Sequence, residues 1–314
     1  MKTYIIGHQK PDTDAVVAAM ALEHLFKNEA SFGHTNPEAV IVDPLNPETT
    51  FLFEKFGAEP PRQITADEIG ADDQVVLVDH NEVSQHLPGL NPEQIVEIVD
   101  HHKPQLDFTQ PVYLNFKVWG STTTIVYYFM KREGITPDKT LASLMLAAIL
   151  SDTVGYKSAT TTDQDHKFGA ELAKLAEIDD VEAFTLEIFK AKSDVSSLTD
   201  EQIVKNDYKI FAFGKQTLID QLETVEQAEI LANKKADLLK AMQAVKEAEE
   251  VELLYVAITD ILQVNTKLLI LGEEEQRAAE AAFGGQTEDH VLDIGAKMSR
   301  KKEIAPALEK ALAK

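Results

Sequence analysis

The sequence predicts an α/β protein in two parts, an N-terminal mostly parallel sheet flanked by helices and a smaller C-terminal α/β domain. Three observations carry this reading. Short Val- and Ile-rich runs alternate with helical patterns through the first half, as in strand-helix-strand units with buried parallel strands. A polar stretch of small residues, Ala191 to Asp200, then interrupts the pattern and reads as a linker. Beyond it a second strand and helix pattern begins. The 314 residues are enough for two domains of ordinary size.

The first-half strands are Thr3–Ile6, Ala39–Val42, Val75–Val78 and Ile95–Val99. Ala15–Phe26 places Val16, Met20 and Phe26 close to helical spacing, and Pro47–Phe56 is a second helix. Such alternation predicts helices on both faces of the sheet. After Gly120 the pattern is helical, over Thr123–Arg132, Asp138–Leu150 and Asp163–Ala176. The block Leu141–Leu150 is apolar all round, as in a buried helix, and is about half the length of a membrane span. The second part offers a strand at Tyr208–Phe213, a long charged helix at Val225–Glu249, and strands at Glu252–Ile258 and Lys267–Leu271. A helix at Glu273–Ala282, a strand at Val291–Ile294 and a closing helix complete it. The expected domains are therefore 1–190 and 201–314, joined by 191–200.

Composition narrows the function. Acidic residues outnumber basic ones by 53 to 30, a formal charge of −23, which disfavours nucleic acid and anionic membrane as partners. The chain has no cysteine, so disulfides, thiolate ligands and cysteine nucleophiles are excluded, in keeping with a reducing cytoplasm. Met1–Ile6 is too short for the apolar core of a signal peptide and reads as the first strand. A soluble, cytoplasmic protein is expected.

Four motifs place Asp or His at element ends: Gly7-His-Gln-Lys-Pro-Asp-Thr-Asp14, Val78-Asp79-His80-Asn81-Glu82, Val99-Asp100-His101-His102 and Ser151-Asp152-Thr153. Each alone has a plain structural explanation; Asp14, for example, suits an N-cap before Ala15. Together they point to one sheet edge, where open parallel sheets bind ligands. His8, Asp12, Asp14, Asp79, His101 and Asp152 supply four carboxylates and two imidazoles, whose charge two divalent cations balance. Imidazole in the set favours a transition metal such as manganese or cobalt over magnesium or calcium, with zinc also compatible. In the otherwise acidic chain, Ser299-Arg300-Lys301-Lys302 is a tight basic cluster suited to phosphate oxygens. Metals on one domain and cations on the other suggest phosphoryl transfer to water.

These motifs, in this order and spacing, resemble the manganese-dependent inorganic pyrophosphatases of the second family, within the phosphoesterase superfamily named for its Asp-His-His motif. The resemblance covers essentially the whole chain. It implies hydrolysis of pyrophosphate to two phosphates at an interdomain cleft, with a DHH-type catalytic domain and a DHHA2-type substrate domain that closes about the linker. It further implies that His8, Asp12 and Asp79 bind one ion and that Asp14, Asp79, His101 and Asp152 bind the other, with Asp79 bridging. Two Mn2+ (or Co2+) per subunit and Mg2+ carried with the substrate would follow. His102, Lys209, Arg300 and Lys301 would hold the phosphates; Lys209 is preferred to Lys205 because it completes Asp207-Tyr208-Lys209. Asp100 is expected to orient a metal ligand. A homodimer through the N-terminal domain is also implied. Two features qualify the match: Val83-Ser84-Gln85 stands where relatives often carry two glutamines, and no regulatory nucleotide-binding insert fits between the metal motifs. Relatives that cleave oligonucleotides carry a glycine-rich, histidine-containing loop, which Phe283–Thr287 does not supply. A phosphodiesterase or exopolyphosphatase acting on oligonucleotides or polyphosphate is thus the alternative, and a catalytically silent metal-binding protein of the same fold the more distant one.

Overall fold

The computed structural model describes residues 1–196 and 198–313, and the chain divides into two compact units, 1–191 and 192–314. Ser197 of the expected linker and Lys314 of the expected second domain lie outside the described residues.

In the first unit the Val- and Ile-rich runs form β1 (Thr3–Ile6), β2 (Pro37–Val40), β3 (Gln74–Val78), β4 (Ile95–Asp100) and β5 (Tyr113–Phe116). All pair in parallel in the order β2-β1-β3-β4-β5, so their carboxyl ends share one edge. The chain runs outward from β1 to β2 and then returns to the other side of β1, which reverses the winding between β1 and β3. In sheets of this order the reversal opens a crevice beyond the strand ends.

Side chains alternate across the sheet. Ile5, Val76, Val78 and Val99 join a core built with α1 (Thr13–Asn28), α2 (Pro47–Phe56), α3 (Thr122–Arg132), α4 (Lys139–Asp152), α5 (Asp163–Ala176) and α6 (Val181–Lys192). Tyr4, Ile6, Val75, Leu77 and Ile98 pack on the other face against Ile64, Ile69 and Leu87 from connecting segments. The helices thus gather on one face, and 3-10 turns and loops take the place of the expected second helical layer. The sheet needs its apolar face covered but not by any particular element, so strand composition does not reveal the difference.

The second unit holds a mixed sheet in the order β10-β9-β8-β7-β6. Its strands are β6 (Tyr208–Ala212), β7 (Gln216–Thr224), β8 (Leu253–Asp260), β9 (Asn265–Ile270) and β10 (Val291–Gly295); β7 and β8 run parallel and the other neighbours antiparallel. α7 (Asp200–Val204), α8 (Gln227–Asn233) and α9 (Lys235–Ala248) cover one face, and α10 (Glu273–Phe283) and α11 (Ala305–Leu312) the other.

Several elements depart from the expectation; among them, α6 and α7 lie where no helix is expected, and β2 runs two residues earlier than Ala39–Val42. β7 escapes a reading of the sequence because Asp220 and Gln221 break the apolar run, although both are buried. β5 is an edge strand whose Tyr113 and Leu114 are exposed, so it lacks the apolar density of its neighbours. The long helix expected over 225–249 is broken at Lys234 into α8 and α9. The expected linker is shortened at its start, because α6 runs on to Lys192, and α7 begins at Asp200. No helix among the described residues is long and apolar enough to cross a membrane.

Candidate metal centre

β1 ends at Ile6, and Gly7 lets the chain turn tightly onto α1: a Cβ there would lie 2.9 Å from Ala15 Cβ. The helix begins under Asp12, whose carboxylate accepts from the Ala15 amide at 3.0 Å. The N-cap is therefore Asp12 and not Asp14. Asp14 sits one position into the helix and is fully buried. From β3 the chain leaves through Asp79 in the left-handed region, φ 61°, a conformation that Asp tolerates better than most residues. His101 follows β4. Asp152 is the last residue of α4, which runs two residues beyond its expected end at Leu150 and delivers the fourth motif from a helix end.

These elements bring the six expected ligands together. Within one group, ligand atoms of His8, Asp12 and Asp79 all lie within 4.8 Å of one another; within another, so do those of Asp14, Asp79, His101 and Asp152. Asp79 belongs to both groups, and its two oxygens face different imidazoles. Oδ2 is 3.6 Å from His8 Nε2, while Oδ1 is 3.4 Å from His101 Nε2.

The tautomers suit metal binding. His8 Nδ1 lies 2.8 Å from the Gln9 carbonyl and His101 Nδ1 3.0 Å from the Trp119 carbonyl. A carbonyl only accepts, so each Nδ1 carries a proton, and each Nε2, turned toward carboxylates, is the nitrogen left to hold either a second proton or a metal ion. The His101 Nε2 is buried without a hydrogen-bond partner among the described residues. Its distance of 3.5 Å to Asp152 and that of 3.7 Å from His8 Nε2 to Asp12 are too long for good hydrogen bonds. They leave room for something positive between the groups, and four carboxylates with two imidazoles match a pair of divalent transition-metal ions.

Electrostatics agree. Burial and the neighbouring Asp79 push the Asp14 carboxyl up to about 6, and burial with Asp14 and Asp79 pushes Asp152 well above its ordinary value. Burial works against charge at Asp79 as well, yet His101 and His8 hold it well below the carboxylate range. The imidazoles move the opposite way from simple burial: Asp12 and Asp79 raise His8 to about 11, and Asp79 raises His101 to about 10. Protons and metal ions therefore compete for the same positions. Below about pH 6, Asp14 becomes protonated and must lose that proton when a metal binds. Apparent Mn2+ affinity should accordingly fall as pH drops, by about tenfold per pH unit for each proton released, with the Asp14 proton adding to the slope only below about pH 6. Calorimetric titration at several pH values measures the effect, and an affinity independent of pH would refute it.

His102 lies 3.7 Å from Asp79 through Nδ1, but that nitrogen donates to Asp100 at 2.9 Å. It is half-exposed and, with Asp79 and His101, makes a third group of side chains whose ligand atoms lie within 4.8 Å of one another. Asp100 also accepts from the His102 amide and from Asn81 Nδ2, at 3.0 and 2.6 Å. Asp100 thus orients His102, a potential ligand beside Asp79 and His101, while Trp119 orients His101. In the Val83-Ser84-Gln85 segment it is the main chain that acts: Gln85 O accepts from the Gln9 amide, and Gln9 Nε2 donates to Ser84 O and His86 O.

The residues that hold the carboxylates are ones the sequence motifs do not include. Ser121 Oγ and the amides of Thr122 and Thr123 donate to Asp14 at 2.7, 2.7 and 3.0 Å, and Thr122 Oγ1 donates to Asp79 at 2.9 Å. All three residues are fully buried. Asp165 secures this turn by accepting from the Gly120 amide and from Thr124 Oγ1. Their signal in the sequence is the run Gly120-Ser-Thr-Thr-Thr124, easily taken for ordinary helix capping. Partners that orient metal ligands are worth about 10–100-fold in affinity. Thr122→Val should weaken Mn2+ binding by that order and Thr122→Ser should restore it; equal dissociation constants in all three proteins would exclude the role.

The expected phosphate-binding cations belong to the second unit. Ser299 caps a single π-turn, Arg300–Ile304, by accepting from the Lys302 amide. Arg300 Nη2 donates to Asp207 Oδ1 at 2.8 Å, and its Nη1 is buried without a partner among the described residues. Lys301 is exposed. Lys209 lies in β6 opposite Ile219, two residues from Asp207, whereas Lys205 is engaged by Glu249.

An all-parallel sheet with an Asp/His centre at its reversal point, followed by a smaller mixed-sheet unit, defines a two-part protein of the DHH class. The DHH family N-terminal domain matches residues 2–149, and the DHHA2 domain matches residues 186–311. The chain is 38% identical over 312 residues to a relative from Deinococcus radiodurans named a probable manganese-dependent inorganic pyrophosphatase, covering 98% of this chain and 97% of the relative. It is 37% identical over 320 residues to the manganese-dependent inorganic pyrophosphatase of Methanocaldococcus jannaschii, with 98% of both chains covered. A solved structure from Methanococcus jannaschii, assigned to family II inorganic pyrophosphatase, superposes with a TM-score of 0.63 at 34% identity, covering 99% of this chain and 100% of that one. The chain belongs to the manganese-dependent (family II) inorganic pyrophosphatases.

Proposed function

We propose that the protein is an inorganic diphosphatase that hydrolyses pyrophosphate to two phosphates with the help of two manganese ions. The observation that carries this is Asp79, a buried carboxylate whose two oxygens face two separate imidazoles and join two ligand groups. His8 and Asp12 would complete one ion's ligands; Asp14, His101 and Asp152 would complete the other's. Two Mn2+ ions, or Co2+ in their place, would supply Lewis acidity and lower the pKa of the attacking water.

The chain's own groups would do the rest. Unit 1 is read as the catalytic domain and unit 2 as the substrate domain. Arg300, Lys301 and Lys209 would take the phosphate oxygens, with Mg2+ accompanying the substrate, and offset charge that grows during in-line attack. His102, its Nδ1 proton committed to Asp100, would meet the substrate through Nε2. The homodimer expected from the resemblance would form through unit 1, where β5 leaves an open edge.

Phosphate release from pyrophosphate in the presence of Mn2+ tests the reading, with short oligonucleotides and polyphosphate as competing substrates. Release from pyrophosphate alone supports it. Preference for either alternative substrate would move the protein to the phosphodiesterase or exopolyphosphatase reading.

A further inference from the structure

Arg300 and Lys301 can serve a phosphate only if the loop that carries them holds its shape, and that loop is anchored from underneath by a buried amide. Gln221 in β7 is 7% exposed. Its Oε1 accepts from the Arg300 amide at 2.9 Å, and its Nε2 donates to the Met298 carbonyl at 2.9 Å. The side chain thus bonds the loop on both sides of Ser299, as a neighbouring strand would. The same Nε2 lies 3.2 Å from Thr259 Oγ1, which is 3.0 Å from Thr266 Oγ1, and Thr266 Oγ1 donates to Lys297 O at 2.7 Å. Glu303 closes the loop from the other end by accepting from the amides of Met298 and Ser299.

The Gln221 backbone reaches the side chain of the same arginine by a second route. Its amide donates to Asp207 O at 3.1 Å, which places Asp207 opposite it across the sheet. The Asp207 amide is fixed on Asp220 Oδ1 at 2.9 Å, and the Asp207 carboxylate receives Arg300 Nη2. Arg300 is therefore held at its main chain by the Gln221 side chain and at its guanidinium by the residue opposite Gln221. The arrangement leaves Nη1 buried and unpartnered among the described residues, a donor still to be satisfied.

We propose that Gln221 is a positioning residue for substrate binding, one that aims Arg300 and Lys301 at a phosphate group. The inference rests on the phosphate role proposed above for Arg300. A buried amide that breaks the apolar run of a central strand costs stability unless its bonds are made. Here those bonds go to the loop and to Thr259.

The test uses the full chain loaded with Mn2+ and compares Gln221→Leu, Gln221→Glu and Arg300→Ala. Gln221→Leu should raise KM for magnesium pyrophosphate by about tenfold, in line with the loss of two buried hydrogen bonds. Both Mn2+ dissociation constants should stay at the wild-type values, because unit 1 is untouched. Gln221→Glu keeps an acceptor for the Arg300 amide and should show a smaller rise, which a merely structural role would not produce. A raised KM in Arg300→Ala with an unchanged KM in folded Gln221→Leu, or a larger rise in Gln221→Glu than in Gln221→Leu, would overturn the positioning role alone. An unchanged KM in all three would overturn the phosphate role of Arg300 and the inference with it.

Discussion

Asp79→Ala is expected to lower kcat for pyrophosphate at least about a thousandfold, because metal Lewis acidity contributes several kcal/mol and each 1.36 kcal/mol is tenfold in rate. The residue is a member of both ligand groups, so the loss should extend to both. A Mn2+ titration of the variant should show neither ion bound at wild-type affinity. Removing Asp12, a member of one group, should weaken one site more than the other. The contrast between the two variants is the informative measurement. Two intact sites in Asp79→Ala, or undiminished hydrolysis, would refute the bridging role.

The second large effect is expected at Arg300. Arg300→Ala should reduce kcat/KM on the order of a hundredfold, the usual loss when one preorganised donor to developing charge is removed. Arg300→Lys should recover only part of it. An ammonium cannot keep the bond to Asp207 at 2.8 Å and also present a planar pair of donors to a phosphate. Mn2+ binding should not change in either variant, since every residue of both ligand groups lies in the first unit. Full recovery by lysine would show that charge alone suffices and that the geometry held by Asp207 and Gln221 is immaterial.

Much of the molecule is legible in local chemistry. The parallel strands declare themselves because burial on both faces requires Val and Ile at nearly every position, as in Val75–Val78. The six expected ligands are visible because each sits in a short motif at the end of an element. β7 hides from such a reading for the reason that makes it informative: Asp220 and Gln221 are polar, and their bonding partners are not all neighbours in the sequence. β5 hides because an edge strand need not be apolar.

By itself, then, the sequence determined which side chains are candidates for the chemistry and which elements deliver them: donor identity, charge balance and apolar periodicity are properties of single residues and short spacings. The tertiary structure alone decided how those side chains are turned. That Asp79 shows one oxygen to His8 and the other to His101, that Ser121, Thr122 and Thr123 grip Asp14 across more than 100 positions of chain, and that Gln221 reaches 79 positions to Arg300, all depend on contacts between separate elements. Hydrogen bonds of that kind have no characteristic spacing in sequence, because packing and not chain connectivity brings their atoms within reach.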